Sequence, residues 1–108
     1  MNEEKTDNKE LLGLPKIDKI IHEPARLIIV AHLYVVESAD FLFLKRQTGM
    51  SWGNLSTHMN KLESVDYVKV KKEIVDKKIS TSVHLTDKGR SAFEEYRENL
   101  RQVAEALW

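Results

Sequence analysis

Apolar positions along the chain fall into blocks, and the spacing within each block names the element it belongs to. Ile17, Ile20 and Ile21 recur at helical intervals just after Pro15, which predicts a short amphipathic helix beginning near Lys16. Pro24 suits the first turn of a second helix, and Ala25 to Val36 is apolar on most sides apart from Arg26 and His32, so this helix belongs in the middle of a core. The run Glu37-Ser38-Ala39-Asp40 breaks the pattern, with Ser38 and Asp40 placed to cap a helix from about Phe41 to Thr48. Gly49 ends that helix as a left-handed cap does, and Ser51 caps the next one, from about Trp52 to Ser64. Periodicity then switches from helical to alternating. Tyr67 to Ile74 and Ile79 to Leu85 read as the arms of an antiparallel hairpin turning through Val75-Asp76-Lys77-Lys78. In the second arm Ile79, Thr81, Val83 and Leu85 share the face expected to be buried, while Ser80, Ser82 and His84 share the polar one. Thr86 caps a last helix to about Leu107, along which Phe93, Tyr96, Leu100, Val103, Ala104 and Leu107 recur at helical spacing.

Two helices joined by a gap of about three residues with glycine in the turn have the layout of a helix-turn-helix. The second of them divides cleanly on a wheel of 100° per residue. With Leu55 at zero, Met59 falls at about 40° and Leu62 at about −20°, which defines the buried side. The opposite side holds Gly53, Thr57, Asn60, Lys61 and Ser64, with Asn54 and Ser56 on its shoulders and Ser51 at the cap. Each is small, hydroxylic, amide or basic, the side-chain types that read base edges or hold phosphates, and Gly53 leaves room for close approach. His58 and Trp52 sit at the margins of the buried side and are expected to brace the helix.

Composition changes this picture in two respects. Lysine plus arginine equals aspartate plus glutamate, 17 each, yet the balance is uneven along the chain. Residues 45–81 carry eight basic and four acidic side chains, whereas residues 1–44 carry five and eight. A local basic patch attracts polyanions whatever the total. Lys69, Lys71, Lys72, Lys77 and Lys78 concentrate on the hairpin; the last three are expected near its tip. Lysine also discourages edge-to-edge sheet pairing, so the two roles coexist there.

The chain has 108 residues, which predicts one domain over residues 16–108 preceded by a flexible N-terminal tail at 1–15, polar and highly charged over its first ten residues. It has no cysteine, which excludes thiolate metal sites and cysteine nucleophiles. No apolar run reaches the roughly 18 residues of a membrane span, and six of the first ten residues are charged, so a cytoplasmic location is expected. No phosphate loop, GxSxG or HExxH motif is present. His22, His32 and His84 lack partners at metal-ligand spacing. An enzyme, a cofactor and a metal are therefore not expected.

The run Leu55-Ser56-Thr57-His58-Met59-Asn60-Lys61-Leu62, then Tyr67-Val68 and Leu85-Thr86-Asp87-Lys88-Gly89-Arg90, resembles the winged helix-turn-helix transcriptional regulators of the MarR and ArsR type. It is most similar to their small, stand-alone members. His22-Glu23-Pro24-Ala25-Arg26-Leu27 resembles the opening of their first core helix, so the likeness extends from about Lys16 to Leu107. The chain departs from the pattern at Asp66, where relatives usually have glycine, and at the hairpin tip, where Lys77-Lys78-Ile79-Ser80 replaces the frequent Arg and Pro. Metal sensing through cysteines is not inherited.

The resemblance implies a mainly α fold with a β-hairpin wing and an extended C-terminal helix, acting on double-stranded DNA as a two-fold dimer built from terminal helices. Ile17, Ile20 and Ile21 at one end, and Tyr96, Leu100, Val103, Leu107 and Trp108 at the other, are the apolar residues expected in that interface. A sequence-specific regulator, repressor rather than activator, is the function this supports, with a small-molecule effector of unspecified chemistry as a further partner. The competing reading is a winged-helix module that contacts another protein within an assembly.

Overall fold

The computed structural model describes residues 16–108; the expected tail at 1–15 lies outside the described residues. The helix expected from Lys16 does not form, because residues 17–23 run through turns and bends. Asp18 explains the difference. Its Oδ1 accepts from the backbone N–H groups of Ile20 (2.8 Å) and Ile21 (3.1 Å), so it caps a single new turn closed by His22 N–H on the Asp18 carbonyl, and that turn ends where Glu23 begins the next helix at Pro24.

Four helices and three strands follow: α1 (Pro24–Val36), β1 (Ser38–Asp40), α2 (Phe41–Thr48), α3 (Trp52–Ser64), β2 (Val68–Val75), β3 (Lys78–Leu85) and α4 (Asp87–Leu107). The expected caps hold the helix starts. Asp40, Ser51 and Thr86 accept from the N–H groups of Phe43, Asn54 and Gly89, and Gly49 closes α2 with φ of 71°. Glu23 adds an N-cap for α1 by accepting from Arg26.

The short strand β1 replaces the loop expected at Ser38 to Asp40 and pairs with β3, giving an antiparallel sheet of order β1-β3-β2. Glu37 makes this possible by taking φ of 68°, which turns the chain out of α1; its carbonyl then accepts from Leu85 N–H. The hairpin turns through Asp76 and Lys77, both at positive φ, as a tight two-residue turn matching strand twist requires.

The core lies where α1 meets α3, α4 and the inner end of the sheet, and comprises Ile21, Ile29, Val30, Leu33, Leu44, Leu55, Met59, Leu62, Val68, Val83, Phe93 and Tyr96. It corrects the expected burial of β3: Val83 is enclosed and Leu85 partly so, while Ile79 stands free because the hairpin outruns the helices beneath it. Gly89 seals the junction of wing and last helix. A Cβ there would lie 2.2 Å from the Tyr67 carbonyl oxygen, so the helix approaches the wing root as closely as only glycine allows.

Candidate nucleic-acid interface

The amphipathic division of α3 holds in three dimensions. Leu55, Met59 and Leu62 are buried, while Gly53, Asn54, Ser56, Thr57, Asn60, Lys61 and Ser64 are exposed, as is the cap Ser51. The Thr57 hydroxyl donates to the Gly53 carbonyl (2.9 Å) and the Ser64 hydroxyl to the Lys61 carbonyl (2.7 Å), which orients their oxygens along the helix.

Beneath this face a polar clamp fixes the helix to the body. Arg26 donates through Nε to the Ile20 carbonyl (2.6 Å), and its Nη1 lies 3.1 Å from His58 Nδ1. Glu23 Oε1 stands 3.8 Å from the same imidazole nitrogen. The Arg26 backbone N–H that Glu23 caps holds the Glu23 carboxyl below its usual value against the opposing effect of burial, and the charges of His58 and Arg26 act in the same lowering direction. His58 thus braces the helix, as its place on the wheel predicts. Trp52 braces it differently: the indole is 49% exposed and stacks on Phe41, with Lys45 Nζ 5.5 Å above the ring.

The root of the wing is held just as firmly. Asp66 adopts the left-handed conformation (φ 63°), and Tyr67 N–H bonds the Leu62 carbonyl. The Tyr67 hydroxyl donates to Asp18 Oδ2 at 2.5 Å, and burial, followed by that bond, pushes the phenol up to about 12, so it remains a donor. His22 Nδ1 and the Tyr96 hydroxyl lie 2.8 Å apart, and Asn99 donates to the Lys16 carbonyl, so residues 16–22 strap the last helix to the wing root.

Beyond that root the wing is free, and residues 71–79 are all exposed. The five lysines do not form one surface. Pairing puts Lys72 on the face of Val68 and Val70, turned toward α3, whereas Lys69 and Lys71 occupy the other face opposite His84 and Ser82. Lys77 lies in the turn and Lys78 pairs with Val75. A groove of about 600 Å³ separates helix from wing, lined by Ser56, Met59, Asn60 and Glu63 on one side, Val70, Lys72 and Thr81 on the other, with Phe41 at its end.

Lys45 and Arg46, in the last turn of α2, extend the basic surface and are absent from the sequence-predicted set. Their signal was the basic excess of residues 45–81, which includes both.

The residues expected in a dimer interface separate into two groups. Ile21 and Tyr96 belong to the chain's own core, and Ile17 and Ile20 pack partly against it, because the strap folds inward instead of forming a helix. Leu100 and Leu107 are exposed on the last turns of α4, as is Trp108 just after its end, and Val103 is half-buried. The core extends along α4 through Tyr96 to Asn99, two turns beyond Phe93. Among the described residues no group of three or more His, Cys, Asp or Glu is arranged to hold a metal, and no helix is long and apolar enough to cross a membrane.

The chain is 34% identical over 89 residues to an uncharacterized protein of Methanocaldococcus jannaschii, covering 82% of this chain and 97% of that protein. Its structure is similar to that of a transcriptional regulator homologue from Pyrococcus horikoshii OT3, with a TM-score of 0.83 and 31% identity over 88% of this chain and 96% of the other. The fold is shared with NadR solved in complex with 4-hydroxyphenylacetate, at a TM-score of 0.68 and 21% identity (98% and 77% covered). It is shared also with AbfR bound to DNA, at a TM-score of 0.60 and 19% identity (93% and 80% covered). The winged helix DNA-binding domain matches residues 25–104. With an outer helix face whose centre carries no acid, Glu63 lying at its groove-side margin, a basic hairpin beside it and this match over most of its length, the chain belongs to the winged helix DNA-binding family, with the fold of a MarR-like transcriptional regulator.

Proposed function

We propose that this protein is a sequence-specific transcriptional repressor that binds double-stranded DNA as a homodimer, with α3 in the major groove and the wing on the backbone and the adjoining minor groove. The observation that carries the reading is the outer face of α3: Gly53, Asn54, Thr57, Asn60 and Lys61 are exposed with no carboxylate among them, and Leu55, Met59 and Leu62 lock that orientation from behind. A carboxylate there would repel phosphate, whereas amide and hydroxyl groups match base edges. Lysines of the wing supply charge, and Lys45 and Arg46 extend it along α2.

One recognition helix spans only a few base pairs, and two related by a dyad read half-sites about 34 Å apart. The exposed Leu100, Leu107 and Trp108, with half-buried Val103, are the surface for the second copy. A dimer seated on successive major grooves occludes the DNA it covers, which is repression by exclusion. A small-molecule effector is a further proposed partner, and the fold is shared with a protein solved in complex with 4-hydroxyphenylacetate.

Selection from a random duplex pool tests the reading: enrichment of a palindrome is expected, and failure to enrich any sequence overturns it. Sedimentation tests the dimer. The parent should run as a dimer at micromolar concentration and Leu100→Glu with Val103→Glu as a folded monomer, since both substitutions place charge in an apolar contact beyond the last core residue, Asn99. A monomeric parent would sink this part of the proposal.

A further inference from the structure

The free end of the wing is apolar on the side that faces the recognition helix. Ile74 and Ile79 stand directly opposite each other, 79% and 77% exposed. Their rung lies one step back from the two-residue turn, where the strands exchange no hydrogen bonds and side chains approach most closely, so the two isoleucines form a single blunt knob. Paired β-branched residues on an exposed hairpin end invite sheet-to-sheet aggregation and call for an occupant.

Three features decide which occupant. The knob continues the inner face of the wing: Lys72 and Thr81 are the next rung inward on the same face, and they line the groove shared with Ser56 and Asn60. Cations lie before and after it along the wing, Lys72 one rung inward on the same face and Lys77 in the turn, while Asp76 shares the turn, Glu63 lines the same groove, and Lys78 and Glu73 lie on the opposite face. This alternation of cation and alkyl matches the rim of a duplex groove, where phosphates alternate with deoxyribose. Width is the third. A minor groove of about 6 Å admits side chains but not a ribbon whose strands are themselves about 4.8 Å apart, so the knob enters only where the duplex opens.

We propose that the Ile74–Ile79 rung is an apolar wedge that presses on the deoxyribose walls of the minor groove beside the major-groove site and selects flanks containing easily unstacked pyrimidine–purine steps. The inference rests on the DNA-binding reading above and adds to it a second source of specificity. A wing of lysines alone is indifferent to the bases it covers. An apolar wedge is not, because opening TA or CA steps is easier than opening a stiff A-tract.

The test uses the full-length protein and a duplex taken from the selected pool, with the flanking steps changed to TA or CA, to an A-tract, or to G·C runs. Affinity is read by fluorescence anisotropy and bending by energy transfer between end-attached dyes. The parent should prefer pyrimidine–purine flanks roughly tenfold and bend them. Ile74→Ser with Ile79→Ser should lose preference and bend together while keeping the parent's melting temperature and salt dependence. Lys77→Ala with Lys78→Ala should weaken all flanks alike. A serine variant that keeps the flank preference and bend overturns the wedge, as does a parent blind to its flanks. A parent that self-associates without DNA through a contact the serine variant abolishes assigns the knob to a second copy and equally overturns it. Loss of the wedge with DNA binding still sensitive to Asn60→Ala leaves the broader reading standing; a parent that binds no duplex removes both.

Discussion

Helix α3 and the wing present polar, basic surfaces side by side, yet they are built on opposite plans. Helix α3 has Leu55, Met59 and Leu62 sunk in the core and His58 clamped between Arg26 and Glu23, so its outer side chains have fixed places. The wing is anchored only at its root, through Val68, Val83 and the Tyr67–Asp18 bond, and everything from Lys71 to Ile79 is exposed. Reading base edges needs donors and acceptors held in register, which the buried side of α3 provides. Holding phosphates and following groove shape needs reach rather than register, which a free hairpin with flexible ammonium groups provides. Under the proposed function, the difference in anchoring maps onto a difference in what each element reads on the duplex.

An equivalent truncation in each element sharpens the contrast most. Leu55→Ala should destabilise the fold by ~2–5 kcal/mol, the range for an enclosed leucine, while Ile74→Ala should change stability by less than ~0.5 kcal/mol. Urea denaturation of both variants measures it, and equal losses would show that the wing tip is packed after all.

On the helix, Asn60→Ala and Thr57→Ala should leave the melting transition intact and each weaken specific binding by ~1–3 kcal/mol, with little change on unrelated duplexes. Parent-like affinity for a selected site in both variants would mean that another face of α3 meets the DNA. On the wing, Lys77→Ala with Lys78→Ala should lower affinity for every duplex and reduce the slope of log affinity against log salt by about 0.9 per lost phosphate contact. A loss confined to one base position would give the wing lysines a reading role that their placement argues against.

The smallest effect concerns the clamp under α3. Because the folded Glu23 carboxyl titrates below its unfolded value, its cap on α1 is fully present above the ordinary carboxylate range, near pH 4.3, and is lost as pH falls through the lowered folded value. Glu23→Gln keeps an amide oxygen for the Arg26 N–H but removes the charge, so the parent's advantage in melting temperature at pH 7 should shrink as pH falls below the ordinary carboxylate range. An advantage that persists unchanged in acid would place the stabilising interaction elsewhere.

Much of the fold and the helix face was legible in the chain because both follow from local rules. Caps at Asp40, Ser51 and Thr86, the left-handed stop at Gly49, the division of α3 and the tight turn between β2 and β3 depend on residues within a few positions of one another. Tertiary contacts decided the rest. Ile17, Ile20 and Ile21 have helical spacing, yet the Asp18 carboxylate bonds the backbone locally and is in turn held by Tyr67, 49 positions away. Ser38 to Asp40 carries no strand signal and becomes a strand because β3 offers it an edge. Nothing in the alternation of β3 distinguishes Val83 from Ile79, since periodicity assigns a face but not the point at which the helices below that face come to an end. The order of polar and apolar residues determined four helices, the hairpin and which side of α3 is free; only the packed chain decided the strap, the strand β1 and which isoleucines are core and which stand exposed at the wing tip, because these depend on what lies across the gap and not on the neighbours in sequence.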